Sequence, residues 1–170
     1  MTREQKFVFL SEIIKALHAK HSWCGETHIQ KACYLIQHLA GESVFSFILY
    51  KHGPFSFELR DDIENMRAYN LVQYLMMPDG YGARIVLNTQ NAPKLEAELP
   101  PSFDAAIQKV ANEIGAAQVA ELEQLATALY FTKDDPKGDQ RVEAIVEVKP
   151  HISRADAAIA VSRIDRLLTS

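Results

Sequence analysis

Several side chains near the end of the first predicted helix could bind a metal ion, because they carry imidazole or thiol groups at short spacings. They are His18, His21, Cys24 and His28. Imidazole nitrogen and thiolate sulfur are ligands that zinc prefers. Their spacing matches no common zinc motif, so a second interpretation stays open: a polar helix end with Cys33 in the core, where free cysteine often lies. We expect no bound metal or other cofactor, and a zinc-stabilised or redox-sensing module is the third functional hypothesis.

Common catalytic and nucleotide-binding motifs are absent from the sequence. It contains no G-x-G-x-x-G, G-x-x-x-x-G-K-[ST], G-x-S-x-G or H-E-x-x-H pattern. Asp61, Asp62 and Glu64 form an acidic cluster, but adjacent helix positions do not share a face. A nucleophile pair of Cys24 and His28 stays open, since members of a catalytic site need not be adjacent. The sequence therefore predicts a protein that is not an enzyme.

The charge of the chain is distributed unevenly. Its 170 residues carry a formal net charge of −4, which is unlike a general nucleic-acid binder. Residues 1–40 nevertheless hold five Lys or Arg, three Asp or Glu and four of the six His. A DNA-binding surface, if the protein has one, is expected to use basic residues of this part and one from a later hairpin. These candidate nucleic-acid contacts are Lys15, Lys20, Lys31 and Arg84.

The composition predicts a cytoplasmic globular protein. Hydrophobic residues make up 48% of the chain and charged residues 24%, and the chain has only two cysteines. Its first residues do not resemble a signal peptide, and no apolar run approaches the length of a membrane span. We therefore expect no membrane partner.

Apolar periodicity predicts helices on both sides of a short β-rich region. Seven helices are expected, near 3–20, near 27–39 with Thr27 as the N-cap, after Ser56, near 102–115, 117–131 and 140–149, and from Ser153 onwards. Strands are expected near 44–50, 71–77 and 83–88. Gly53 and Pro54 follow the first strand. Proline cannot donate to a strand ladder and glycine permits a sharp turn, so we expect a corner that leads directly into the helix capped by Ser56.

This order of elements predicts an α+β fold. A winged-helix-like domain would occupy residues 1–90, followed by a connector at 91–101 and a helical domain or extension at 102–170. The first strand falls between the second and third helices, which departs from the usual winged helix. The apolar stripes of the C-terminal helices need a surface to cover, and any surplus favours a homodimer.

Two segments carry a resemblance to a known family. KACYLIQHLAG (31–41) and FILYKHGPFSFELRDDIENM (47–66) resemble the YwgA-like family of uncharacterised bacterial proteins, and are more distantly similar to the Panacea/SocA-like antitoxin domain. The matching positions are Lys31, Tyr34, Leu35, Tyr50, Gly53 and Pro54. Residues 121–135 and 147–164 are similar to the tail of the first family. The resemblance implies partner binding, as in an antitoxin or adaptor, and it implies no catalytic residue.

The leading functional hypothesis is a regulator or antitoxin-like adaptor that engages a partner protein. The expected contacts are the corner residues Tyr50, His52, Gly53 and Pro54, and the helix residues Arg60, Asp61, Glu64 and Arg67. The polar face of that helix is mainly acidic, which would repel a phosphate backbone but could steer a basic partner. The alternative is a DNA-binding winged-helix transcription regulator.

Overall fold

The computed structural model describes residues 1–76, 82–134 and 140–169. The helices within this part are α1 (Arg3–Ala19), α2 (Glu26–Ala40), α3 (Phe57–Ala68), α4 (Ser102–Ile114), α5 (Val119–Asp134), α6 (Arg141–Val148) and α7 (Arg154–Thr169). The strands are β1 (Ile48–Tyr50), β2 (Gly53–Phe55), β3 (Val72–Met76) and β4 (Ala83–Leu87). The predicted mixture of helix and antiparallel sheet is confirmed. Across the described ranges, no helix is both long enough and apolar enough to cross a bilayer.

The chain forms two compact units, whose boundaries differ from the predicted ones. The first unit contains Met1–Phe47 and Ser56–Ala117, and the second contains Ile48–Phe55 and Gln118–Ser170. Helix α4 therefore belongs to the first unit rather than to a C-terminal helical domain. The physical reason is its apolar face, because α4 packs on α1 and α2 and the ring centroids of Phe103 and Phe9 are 4.6 Å apart.

Helix α2 is the central element of the first unit. Every residue from His28 to Gln37 is buried, so several faces of the helix are covered. The helix begins at Glu26 with Gly25 as its N-cap, so the predicted cap at Thr27 is wrong by two residues. It ends at Gly41, whose φ of 68° is the left-handed conformation that glycine adopts easily.

The first unit also contains the β3–β4 hairpin. The two strands pair antiparallel from Val72 opposite Leu87 to Met76 opposite Ala83, close to the predicted spans. The predicted loop at 78–82 lies outside the described residues except for Gly82. The second unit combines α5, α6 and α7 with the β1–β2 hairpin. In this unit, Arg141 forms a two-point ion pair with Asp165, at 2.7 and 2.9 Å.

Two glutamines of α2 bind the backbone of the segment that follows the helix. The Gln37 amide donates to the Phe45 carbonyl at 3.0 Å and accepts from the Phe45 N–H at 3.2 Å. The Gln30 amide does the same at Ser56, at 2.8 and 3.0 Å. Both side chains are buried, so each replaces the water that these irregular backbone groups would otherwise need. The Ser56 hydroxyl in turn caps α3 by accepting from the Leu59 N–H.

We predict that Gln30→Leu destabilises the first unit by roughly 1–3 kcal/mol, because it leaves the buried Ser56 N–H without its acceptor, while the Ser56 carbonyl oxygen keeps the Arg60 N–H as a donor. Chemical denaturation followed by circular dichroism measures the free energy of unfolding. Gln108→Leu is the matched control, since Gln108 is exposed on α4. Equal effects of the two substitutions would show that the Gln30 bonds contribute little.

Candidate functional site

The Gly53–Pro54 segment forms a β-hairpin instead of the predicted strand-to-helix corner. Strand β1 covers only residues 48–50, and it pairs antiparallel with β2, which contains Gly53 and Pro54. Val44 and Phe45 are buried outside any strand, and the Gln37 amide takes the backbone groups of Phe45. Proline is compatible with β2 because a two-stranded sheet consists of edge strands. The predicted helix cap at Ser56 is confirmed immediately after the hairpin.

Gly53 allows β2 to lie directly on α5. Its φ is 80°, a conformation that residues with a Cβ resist. A Cβ at this position would lie 2.9 Å from the Thr127 hydroxyl oxygen and 3.4 Å from the Glu123 carbonyl oxygen. Glycine is therefore required twice here, by backbone conformation and by the close approach of the helix.

Lys149 fixes the turn of the hairpin from the other side. Its ammonium group donates to the carbonyl oxygens of Tyr50 and Lys51, at 2.6 and 2.5 Å. The side chain is only 7% exposed. Lys149 ends α6, so it connects the helix end to a turn about a hundred residues earlier in the chain. This contact was missed in the sequence, where a lysine before a proline indicates only the end of a helix.

A buried carboxylate lies beside the same turn. The Glu123 side chain is 8% exposed, and its Oε1 atom lies 3.0 Å from His151 Nε2 and 3.8 Å from Lys149 Nζ. Its Oε2 atom lies 3.5 Å from His52 Nδ1. The two histidine side chains are more than half exposed. Lys149 therefore offsets the negative charge of Glu123 within the unit, and the outer parts of both imidazoles face solvent.

The outward face of β1 is apolar. Ile48 and Tyr50 are each 51% exposed, and because they are two positions apart in a strand they project from the same face. The Tyr50 ring lies 5.8 Å from the Phe55 ring. In the part of the chain that the structure describes, β1 has β2 as its single strand neighbour. We call Ile48, Tyr50, Lys51 and His52 the hairpin face.

The predicted contact residues on α3 lie in the first unit and interact mainly with their neighbours. Arg60 pairs with Glu26 at 2.9 Å, and Arg67 lies over the Tyr74 ring at 4.6 Å. Glu64 accepts a hydrogen bond from the Tyr74 hydroxyl at 2.8 Å. Burial and this hydrogen bond raise the pKa of Tyr74 well above its ordinary value, so its hydroxyl stays protonated and donates. Asp61 is exposed, as expected for a contact residue.

The predicted nucleic-acid residues do not form one basic surface. Lys31 is 2% exposed, so its prediction as a phosphate contact is wrong, because both sides of α2 are covered. Arg84 is turned towards α1, where its Nη2 atom lies 2.9 Å from His18 Nδ1. His18 Nε2 lies 2.8 Å from the Ile85 carbonyl oxygen, so the tautomer protonated at Nε2 satisfies both contacts. Lys15 pairs with Glu12 at 2.6 Å, and Lys20 is exposed.

The predicted His/Cys cluster does not converge. The described residues contain no group of three or more His, Cys, Asp or Glu side chains arranged to hold a metal ion. Cys24 is fully buried, and burial raises its pKa to about 12, although the charge of Arg84 opposes the shift. Burial likewise raises the pKa of Cys33 well above its ordinary value. Two buried thiols of this kind are poor nucleophiles and poor redox sensors. His21 is exposed.

His28 is buried in the first unit, with 2% exposure. Loss of hydration lowers its pKa below the ordinary 6.5, and a hydrogen bond with the backbone of Ala117 partly opposes this shift. The imidazole is therefore a neutral core group that joins the start of α2 to the segment after α4. The second interpretation placed only Cys33 in the core, so the burial of His28 was not predicted, and its Nδ1 atom has no hydrogen-bond partner among the described residues.

Comparison with models of known protein families and with curated protein sequences finds no match to this chain. The resemblance carried by residues 31–41 and 47–66 therefore stays a prediction. The functional conclusion has to come from the geometry of the two units.

We predict that Gly53→Ala destabilises the second unit by about 2–4 kcal/mol, the sum of a strained φ and an overpacked contact with α5. Gly41→Ala is the matched control, because Gly41 has a similar φ of 68° but no atom within 4 Å of the added Cβ. It should cost about 1–2 kcal/mol from backbone strain alone. Urea denaturation of both variants measures the difference in the free energy of unfolding. Equal decreases in the two variants would mean that α5 moves to accommodate the methyl group at little cost.

The lowered pKa of His28 predicts a stability that depends on pH. Above about pH 6.5 the imidazole is neutral in both the folded and the unfolded chain, so it does not make the free energy of unfolding depend on pH. As the pH falls below 6.5, the unfolded chain binds a proton that the folded chain refuses, so the free energy of unfolding decreases until the folded pKa is reached. Denaturation at a series of pH values should show a shallower decrease for His28→Gln than for the wild type. His21→Asn, at an exposed histidine, is the matched control.

Proposed function

We propose that this protein is a non-catalytic binding module that engages a partner protein through the hairpin face of its second unit. The observation that carries the proposal is that Ile48 and Tyr50 are both about half exposed. They lie on a strand whose hairpin is held in position by buried contacts. Large apolar side chains on a rigid edge are the kind of surface that proteins use for recognition. Tyrosine suits this role because it combines a large ring with a polar group.

The hairpin face is preorganised by buried contacts. Gly53 lies against α5 without space for a methyl group, and Lys149 holds two carbonyl groups of the turn. A partner would therefore not have to order this segment on binding, which lowers the entropic cost of association. The same contacts explain how Gly53 and Pro54 can matter for binding without touching a partner: they place Tyr50 and His52.

The partner that fits best is an extended segment with alternating apolar side chains. Such a segment can add alongside the side of β1 that faces away from β2 and cover Ile48 and Tyr50. Lys51 at the turn gives this end of the surface a positive charge, and the exposed His52 and His151 lie in contact with Glu123 nearby. A carboxylate at one end of the partner segment would complement this positive charge. Electrostatic complementarity of this type mainly sets orientation and association rate.

The finer fold and location belong to the same proposal. We propose that the first unit is winged-helix-like, supported by three helices α1–α3 followed by the β3–β4 hairpin. A regulator or antitoxin-like adaptor combines such a unit with a partner-binding surface. The two buried, unpaired cysteines support a reducing compartment such as the cytoplasm. The DNA-binding alternative is weakened, because Lys31 is buried and Arg84 is directed at His18.

The proposal predicts site-specific cross-linking at the hairpin face. A photoreactive p-benzoylphenylalanine in place of Tyr50 should yield one discrete protein adduct in cells of the native host. The same group in place of Ile159, which is 59% exposed on α7 of the same unit, should not. A synthetic peptide from the adduct should bind the purified chain, and Ile48→Ser with Tyr50→Ser should weaken it by about tenfold or more.

Controls separate binding from folding. The double variant should stay folded with a small decrease in melting temperature, because both side chains are half exposed and Tyr50 contacts Phe55, and Ile159→Ser should bind the peptide normally. Lys51→Glu should weaken binding if the partner carries a carboxylate at the basic end. Adducts that form equally at both positions, or that contain only a second copy of this chain, would overturn the adaptor proposal.

A further inference from the structure

A concave groove lies in the first unit, outside every residue of the hairpin face. It runs between the start of α1, the end of α3 and the short 3-10 turn Ala92–Lys94. Its volume is about 570 Å³. Sites for small molecules usually enclose about 300–1,000 Å³, so the groove has the size for a ligand of one or two fused rings.

The floor and one wall of the groove are apolar. Phe7 is 5% exposed and Leu71 is 8% exposed, so both form the floor, whereas Tyr69 is 58% exposed. The Phe7 and Tyr69 rings lie 6.1 Å apart at an angle of 53°. Because Tyr69 is exposed, a planar group in the groove can contact its ring. Leu95, which directly follows the 3-10 turn, is half-buried and completes the apolar lining.

The rim of the groove is positively charged on balance. The Arg3 guanidinium lies 5.5 Å from the Phe7 ring centre and 5.2 Å from the Tyr69 ring centre, so the aromatic pair holds it in place. Lys94 donates to the Asn91 side chain at 3.0 Å, which fixes the second ammonium group. The one acidic lining residue, Glu4, accepts a hydrogen bond from the Glu96 backbone N–H at 3.3 Å. The groove therefore has two cations that are held in position and one carboxylate that already accepts a hydrogen bond.

We propose that this groove binds a small planar aromatic carboxylate. The ring system would lie on Tyr69 and Leu95, where it removes apolar surface from water. The carboxylate would meet Arg3, whose planar guanidinium matches its two oxygens, with Lys94 as the second cation. Charge complementarity selects this class, since a neutral ring would leave both cations unused and a cation would be repelled. The inference is independent of the partner protein, because it uses residues of the first unit alone.

The test compares two probes of nearly the same shape, 2-naphthoate and its neutral amide, 2-naphthamide. Titration of the full chain, followed by nitrogen–proton NMR spectra, should shift signals near residues 3–7, 69–71 and 91–95 and saturate with naphthoate. Naphthamide should bind about threefold to fivefold more weakly, the effect expected for partly exposed charge pairs. Lys94→Gln should reduce the preference for the anion, and Tyr69→Ala should weaken both probes.

Lys15→Gln is the matched control. It removes an exposed lysine from the same helix, 12 residues or about 18 Å from Arg3, and should leave both affinities unchanged. Equal affinities for the two probes, shifts that map to another surface, or no saturation with naphthoate would overturn the proposal. Saturation by an aromatic–acidic dipeptide but not by naphthoate would overturn it as well, because the occupant would then be a peptide.

Discussion

Buried side chains that satisfy an irregular backbone hold the segment between α2 and α3 in place. Most of this segment has no extended strand or helix to pair its peptide groups, yet parts of it are buried. Gln37 binds both backbone groups of Phe45, Gln30 binds both groups of Ser56, and Lys149 binds the carbonyls of Tyr50 and Lys51. Buried peptide groups without partners are costly, so these long side chains decide where the segment can lie. In the first unit the cap of α3 depends on Gln30, and in the second unit the hairpin face depends on Lys149.

Lys149 differs from the two glutamines because it brings a charge into a buried place. Its carbonyl acceptors carry only partial charges, and the ionised carboxylate of Glu123, 3.8 Å away, supplies the opposite charge. A buried ion pair of this kind adds little net stability compared with apolar residues, but removal of one partner is strongly destabilising. The pair therefore contributes more to the specificity of the conformation than to its stability. The hairpin turn is favoured in the one position where Lys149 and Glu123 both keep their partners.

The sequence predicted local features well and long-range ones poorly. Helical periodicity located the seven described helices, and Ser56 caps the start of α3 as expected. The hairpin was missed because proline was taken as the end of a strand, although two polar residues followed by glycine are also typical of a hairpin turn. Lys31 was placed on the surface because a charged residue in a helix usually lies there, and nothing local shows that α4 covers α2.

The contacts that shape the candidate site join residues far apart in the sequence. Gly53 meets Thr127, and the turn meets Lys149, so no short window contains either pair. A glycine beside a proline shows that the backbone is special there, but not which helix it approaches. Nothing in the sequence indicated that Glu123 is buried beside the turn, because one acidic residue in an amphipathic helix is ordinarily solvent-exposed.

The exposed apolar pair on β1 is the feature that the fold does not explain by itself. Proteins protect edge strands by keeping them short and by placing charges beside them, and β1 has both devices, since it has three residues and is followed by Lys51 and His52. These features limit indiscriminate pairing with other chains. Ile48 and Tyr50 stay half exposed in spite of that protection, although polar residues at both positions would be compatible with the same hairpin. A surface that excludes general association but retains two large apolar groups is what selective binding of one partner segment requires.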